Sequence, residues 1–129
     1  MSQITINEIP FDGGTQLLPR LVGRTKAMEL ILTGLQIDSA EAKSIGLVNQ
    51  VVPAAEVMTS TLKMAEHLAA KGPIALRYAK EAVLKGMDMT LEQGLRLEAD
   101  LYFLLQTTKD RHEGITAFRE KRTPEFEGK

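Results

Sequence analysis

The sequence predicts a mainly α-helical protein with one or two short strands at most. Three observations lead to this. The pairs Asp38 with Glu41 and Thr90 with Gln93 have the three-residue spacing of a capping box and precede helix-forming stretches. Gly23, Gly34, Gly46 and Gly72 stand where helices would stop. Val57 or Met58, Leu62, Ala65 and Leu68 or Ala69 recur at helical spacing, whereas strand-like patterns are confined to two short stretches.

Taken in order, Ser2 to Ile9 alternates Ile4, Ile6 and Ile9 with polar residues, which predicts a short strand ended by Pro10. Gly13 and Gly14 free the backbone for a sharp turn. Thr15 is then the expected N-cap of a helix carrying Leu17, Leu18, Leu21 and Val22, with Gly23 as its left-handed cap. Helices are expected over 26–33, stopped by Gly34, and over 39–45, stopped by Gly46. Leu47, Val48, Val51 and Val52 read as a second short strand, ended by Pro53. A helix follows over 54–70, then Gly72-Pro73 as a stop and a start. The helix over 73–85 has a small face of Ala75, Ala79 and Ala82 suited to close packing. Thr90 opens a helix to about Gln106 whose end, Leu101 to Leu105, is apolar on every side, a pattern that calls for cover from another subunit. Asp110 and Glu113 open the next helix, which ends in Arg119-Glu120-Lys121-Arg122 before Pro124.

At 129 residues the chain fits a single domain, 1–129, and its 43% hydrophobic and 26% charged content is that of a globular protein. A net charge of −1 gives no reason to expect nucleic acid or a membrane surface as partner. No cysteine is present, so disulfides, thiolate nucleophiles and thiolate metal sites are excluded. His67 and His112 belong to no spaced ligand set, and no metal is expected. Ser39 and Ser44 lack the strand-turn elbow of a nucleophile. Met1 to Asp12 shows no signal-peptide pattern, and no apolar run approaches the ~20 residues that span a bilayer. The expected location is cytoplasmic.

The string Gly13-Gly14-Thr15-Gln16-Leu17-Leu18-Pro19-Arg20 closely resembles the Gly-Gly-Thr-Gln-Arg-Leu-Pro-Arg segment of the enoyl-CoA hydratase/isomerase (crotonase) family, with Leu17 in the place of an arginine. Ile37 to Pro53 resembles the family's second signature, containing Ala-x-Glu-Ala-x-x-x-Gly-Leu-Val. Gly72-Pro73-Ile74-Ala75 and the Thr-x-Asp-x-x-Glu-Gly-x-x-Ala-Phe-x-Glu-Lys-Arg run from Thr108 to Arg122 continue the likeness. The resemblance covers roughly Ile9 to Lys129 and is to the C-terminal half of such enzymes. It implies the helical trimerisation part of a crotonase/ClpP-like fold lacking the β-spiral core, with 1–8 divergent, 9–53 the end of the core region and 54–129 a helical oligomerisation region.

That resemblance also implies a chemistry and its gaps. The family's other half supplies the oxyanion amides and one catalytic glutamate. Its second glutamate falls at Gln3 and a nearby glycine at Asn7. A glutamine amide orients water but cannot take its proton at neutral pH. No catalytic residue is therefore assigned. Asp12 and Glu8 are the nearest substitute carboxylates, with Asp12 set against a plain role in the turn. Phe118 and Lys121, with Tyr102, match positions near the adenosine end of coenzyme A bound in a neighbouring subunit. Without the resemblance, Phe118 reads as core, Tyr102 as interface, and Lys121 as a partner of Glu120, Glu125 or solvent. Coenzyme A thioester is the expected ligand, with no other cofactor. The expected partners are further copies of the chain in a trimer-based assembly, or a separate chain carrying the N-terminal half of a split hydratase. A helical interaction module without ligand is the third reading.

Overall fold

A computed structural model describes residues 3–129. The chain divides into two compact units, Met1–Glu56 and Val57–Lys129, each taken by itself below.

In the first unit a 3-10 turn, Gln3–Ile6, precedes helices α1 (Gly14–Val22), α2 (Arg24–Thr33) and α3 (Ser39–Ser44), and a second 3-10 turn covers Ala54–Glu56. Leu18, Ala27 and Leu30 form the buried centre, with Val22, Ile31, Ile37, Ile45 and Leu47 packed around it. Gly23 alone joins α1 to α2, at φ 81° and ψ 154°. That region is open essentially only to glycine, so the tight junction depends on this residue. The left-handed cap expected of Gly23 is found instead at Gly34, which ends α2 at φ 68° and ψ 9°. Asp38 caps α3 by accepting the Glu41 amide at 2.7 Å, and Lys26 of α2 bridges to Glu41 at 2.6 Å.

Neither expected strand forms among the described residues; of the first, Ser2 lies outside them. The isoleucine alternation from Ile4 is overridden by a helical turn closed in the Schellman manner. The Glu8 amide donates to the Gln3 carbonyl and the Asn7 amide to that of Ile4, with Asn7 at φ 62°. Leu47 is diverted in the same way: its amide and that of Val48 donate to the Ala42 carbonyl, closing α3 past Gly46. Short apolar alternation is not enough to make a strand without a neighbouring edge to pair with. The cap of α1 is also corrected, since Gly13 and not Thr15 occupies that position, at φ 88°, with no side-chain hydrogen bond.

The second unit contains α4 (Val57–Ala69), α5 (Pro73–Gly86), α6 (Leu91–Gln106) and α7 (Lys109–Glu120). The capping box at Thr90 and Gln93 is complete, each side chain accepting from the other's backbone amide. Helices α5 and α6 pack so closely that a Cβ on Gly94 would stand 3.5 Å from the Gly86 carbonyl oxygen. The expected small face takes less part: Ala75 and Ala82 are half-buried and Ala79 is exposed. Much apolar surface has no cover. On α4 it includes Val57, Met58, Leu62 and Leu68, and on α6 Leu91, Leu95, Phe103 and Leu104. Only Leu101 of the apolar end of α6 is buried.

Candidate functional site

In the first unit the residues of interest lie on the turns before α1. Gln3 begins the 3-10 turn, and its Oε1 is buried without a hydrogen-bond partner. Asp12 holds φ 56° directly before Gly13, so its backbone makes the turn while its side chain remains exposed. Phe11 beside it is exposed as well. The Gly13 carbonyl accepts the amides of Gln16 and Leu17 at 2.9 and 2.7 Å, which starts α1.

In the second unit Phe118 and Lys121 share the end of α7. Phe118 is 85% exposed, so it is not a core residue. Lys121 caps the helix at φ 55° and ψ 38°. Its amide donates to the Phe118 carbonyl and that of Arg122 to the Ala117 carbonyl, a Schellman closure with lysine where glycine is usual. Among the described residues the Lys121 ammonium has no carboxylate partner, for Arg122 takes Glu120 at 2.7 Å and also pairs with Glu113. Tyr102 lies on α6, 55% exposed, with its ring edge-on to Phe103 at 6.1 Å. No ring contact joins Tyr102 to Phe118 among the described residues.

Sequence reasoning missed what holds the end of α7 in place. It took Asp110 and Glu113 as openers of the helix, but the cap is Thr108, which accepts the Arg111 amide at 3.1 Å. Asp110, 5% exposed, instead accepts the amides of Glu127 and Gly128 at 2.8 and 2.9 Å. One turn on, Glu113 grips Arg122 through both carboxylate oxygens and accepts the Glu125 amide at 2.9 Å. First Arg122 and then the Glu125 amide hold the Glu113 carboxyl down to about 2. The same pairing with Glu113, and then with Glu120, raises the Arg122 guanidinium. Phe126 lies 3.7 Å from where a Cβ would stand on Gly72 and 3.6 Å from one on Gly114. The available signals were two acids three apart on one helix face and glycines at 72 and 114 that leave room for a ring.

Comparison with known proteins decides the lineage. The family described as enoyl-CoA hydratase/isomerase matches residues 1–129. The chain belongs to that family. It is 43% identical over 127 residues to a probable mitochondrial enoyl-CoA hydratase of Dictyostelium discoideum, covering 98% of this chain and 46% of that protein. It is 40% identical over 129 residues to the 2,3-dehydroadipyl-CoA hydratase of Escherichia coli, covering all of this chain and 51% of that protein. The crystal structure of an enoyl-CoA hydratase from Bacillus anthracis superimposes with a TM-score of 0.97 at 47% identity, covering 99% of this chain and 50% of that one. The chain thus spans about half the length of the relatives it matches, and its helices are those of the C-terminal part of the crotonase fold.

The enoyl-CoA hydratase/isomerase match includes residues 1–8. Asn7 has φ 62°. Asparagine is the residue that best tolerates the left-handed region after glycine. Of the described residues, no group of three or more His, Asp or Glu is placed to hold a metal ion, and no helix is long and apolar enough to cross a membrane.

Proposed function

We propose that these residues form the coenzyme A-contacting, self-associating half of an enoyl-CoA hydratase/isomerase-family protein, and that by themselves they do not hydrate enoyl-CoA. The observation that carries the reading is the end of α7, where Phe118 offers an open aromatic face and Lys121 an ammonium with no carboxylate partner among the described residues. A ring for adenine beside a cation for phosphate suits the adenosine end of coenzyme A. Tyr102 is a further aromatic contact in this reading. The uncovered apolar faces of α4 and α6 support self-association, since contiguous apolar surface marks sites of assembly.

Hydration of a 2-enoyl thioester needs a base for water, an acid for the α-carbon and two N–H donors for the thioester oxygen. Loss of one such donor typically costs ~10²–10³ in rate, and loss of a general base ~10²–10⁴. With Gln3 matched to a glutamate position in this reading, the exposed Glu8 and Asp12 are the nearby carboxylates to stand in for it, and Asp12 serves the turn. The ancestral acyl-CoA chemistry and a cytoplasmic setting are part of the same reading.

Isothermal titration with coenzyme A, together with light scattering after size exclusion, tests the proposal. Heat of binding that is lost in Phe118→Ala and Lys121→Ala, from an oligomeric chain, is expected. A monomer that gives no heat contradicts it and leaves a helical module without ligand. The bare faces of α4 and α6 also suit a separate chain carrying the other half of a split hydratase. Hydration that appears only when such a chain is added would favour that version.

A further inference from the structure

The segment Thr123–Lys129 does more than follow α7: it runs back along it. From Lys121 onward it is fastened in succession by Arg122 on Glu113, the Glu125 amide on Glu113, Phe126 against Gly114, and the Glu127 and Gly128 amides on Asp110. It then reaches the start of the same helix, where the Asp110 amide donates to the Lys129 backbone oxygen at 3.1 Å. That bond satisfies one of the donors that every helix N-terminus leaves open. Phe126 beside Gly72, and Gly128 against Pro73, extend the strap to the start of α5.

The strap begins beside the strained end of α7. Lys121 occupies the left-handed region, which glycine enters freely and a lysine does not. A strained conformation persists where its surroundings over-determine it. Here those surroundings are the fastenings that begin one residue later, at Arg122. We infer that Asp110 and Glu113 are positioning residues: by holding the strap they keep Lys121 in its left-handed turn and so set where its ammonium stands relative to Phe118. The effect on coenzyme A rests on the function proposed above; the effect on the Lys121 backbone does not.

Glu113→Gln keeps the shape of the side chain but removes the charge that grips Arg122, and Asp110→Asn does the same at the second fastening. Nuclear magnetic resonance reads the result in the full chain, from the strong intraresidue HN–Hα cross-peak and the Cα shift that mark positive φ at Lys121. Both markers should be lost in the double variant while the amides of α5 and α6 keep their positions. If Asp110→Asn prevents folding, Glu113→Gln alone carries the test, through a weakened marker and faster trypsin cleavage after Arg122. Retention of the Lys121 markers at wild-type strength overturns the inference.

Coenzyme A added to the same samples separates the two proposals. If the left-handed turn falls to about a tenth of the molecules, affinity should fall about tenfold, since only that fraction is competent. Lys121→Gly, which keeps the turn without the ammonium, should lose the ligand but not the strap. Unchanged affinity in a variant whose Lys121 has left the turn contradicts the positioning role. A wild-type chain that ignores coenzyme A removes the proposed function, and the strap is then judged by the Lys121 markers alone.

Discussion

Replacing Asp110 with alanine removes both oxygens that hold the amides of Glu127 and Gly128. A hydrogen bond to a charged group contributes about 1.5–3 kcal/mol. Here the two freed donors belong to exposed residues and regain water, so the losses do not add in full. Asp110 also sits in the first turn of α7, where a negative charge adds about 0.3–1 kcal/mol through the helix dipole. A net loss of about 2–4 kcal/mol is expected, large against a typical total of about 5–15 kcal/mol. For a chain of this size that lowers the melting temperature by roughly 10 °C. Thermal melting followed by far-UV circular dichroism reads it, with the nearby exposed Lys109→Ala as a control. A drop for Asp110→Ala no larger than that of the control would refute the role given to the buried carboxylate.

Two further outcomes follow from the same unit. The Glu113 carboxyl is held down to about 2 by Arg122 and the Glu125 amide. Its contribution to stability is therefore fully present above the ordinary carboxylate value and is lost as pH falls from there through about 2. Urea melts across that window should show a steeper acid dependence in the wild type than in Glu113→Gln, and parallel curves would count against the pairing. At the α5–α6 contact a Cβ on Gly94 meets the Gly86 backbone at ordinary contact distance. Gly94→Ala should then be neutral or stabilise by up to about 1 kcal/mol through helix propensity. Gly94→Leu should destabilise by about 1–3 kcal/mol as the helices are forced apart. Equal midpoints for the two variants would show that the close approach is not what Gly94 provides.

Most helices were legible because their ends are written locally. Thr90 with Gln93, Asp38 with Glu41, Gly34 and Gly72-Pro73 each act through neighbours in sequence, and each marks the boundary expected of it. The errors arose where a distant partner decides. Ile4, Ile6 and Ile9 alternate like a strand, yet a left-handed Asn7 turns the chain instead. Asp110 resembles a helix opener, but its carboxylate is committed to amides more than a dozen residues away. The lineage was readable from Gly13-Gly14-Thr15-Gln16 and from the run between Thr108 and Arg122. The same residues placed Phe118 and Lys121 on one turn, though not the strap behind them. Local pattern carries no record of what Glu113 grips nine residues later.

In the proposed function neither Gln3 nor Asp12 acts as a general base for water. The most direct measurement is hydration of crotonyl-CoA by these 129 residues, purified free of host hydratase and followed by loss of the enoyl thioester absorbance. No rate above the buffer blank is expected from the wild type. Turnover that survives purification to homogeneity and disappears in Asp12→Asn would contradict it, because a carboxylate assigned here to the turn would then be acting as the base.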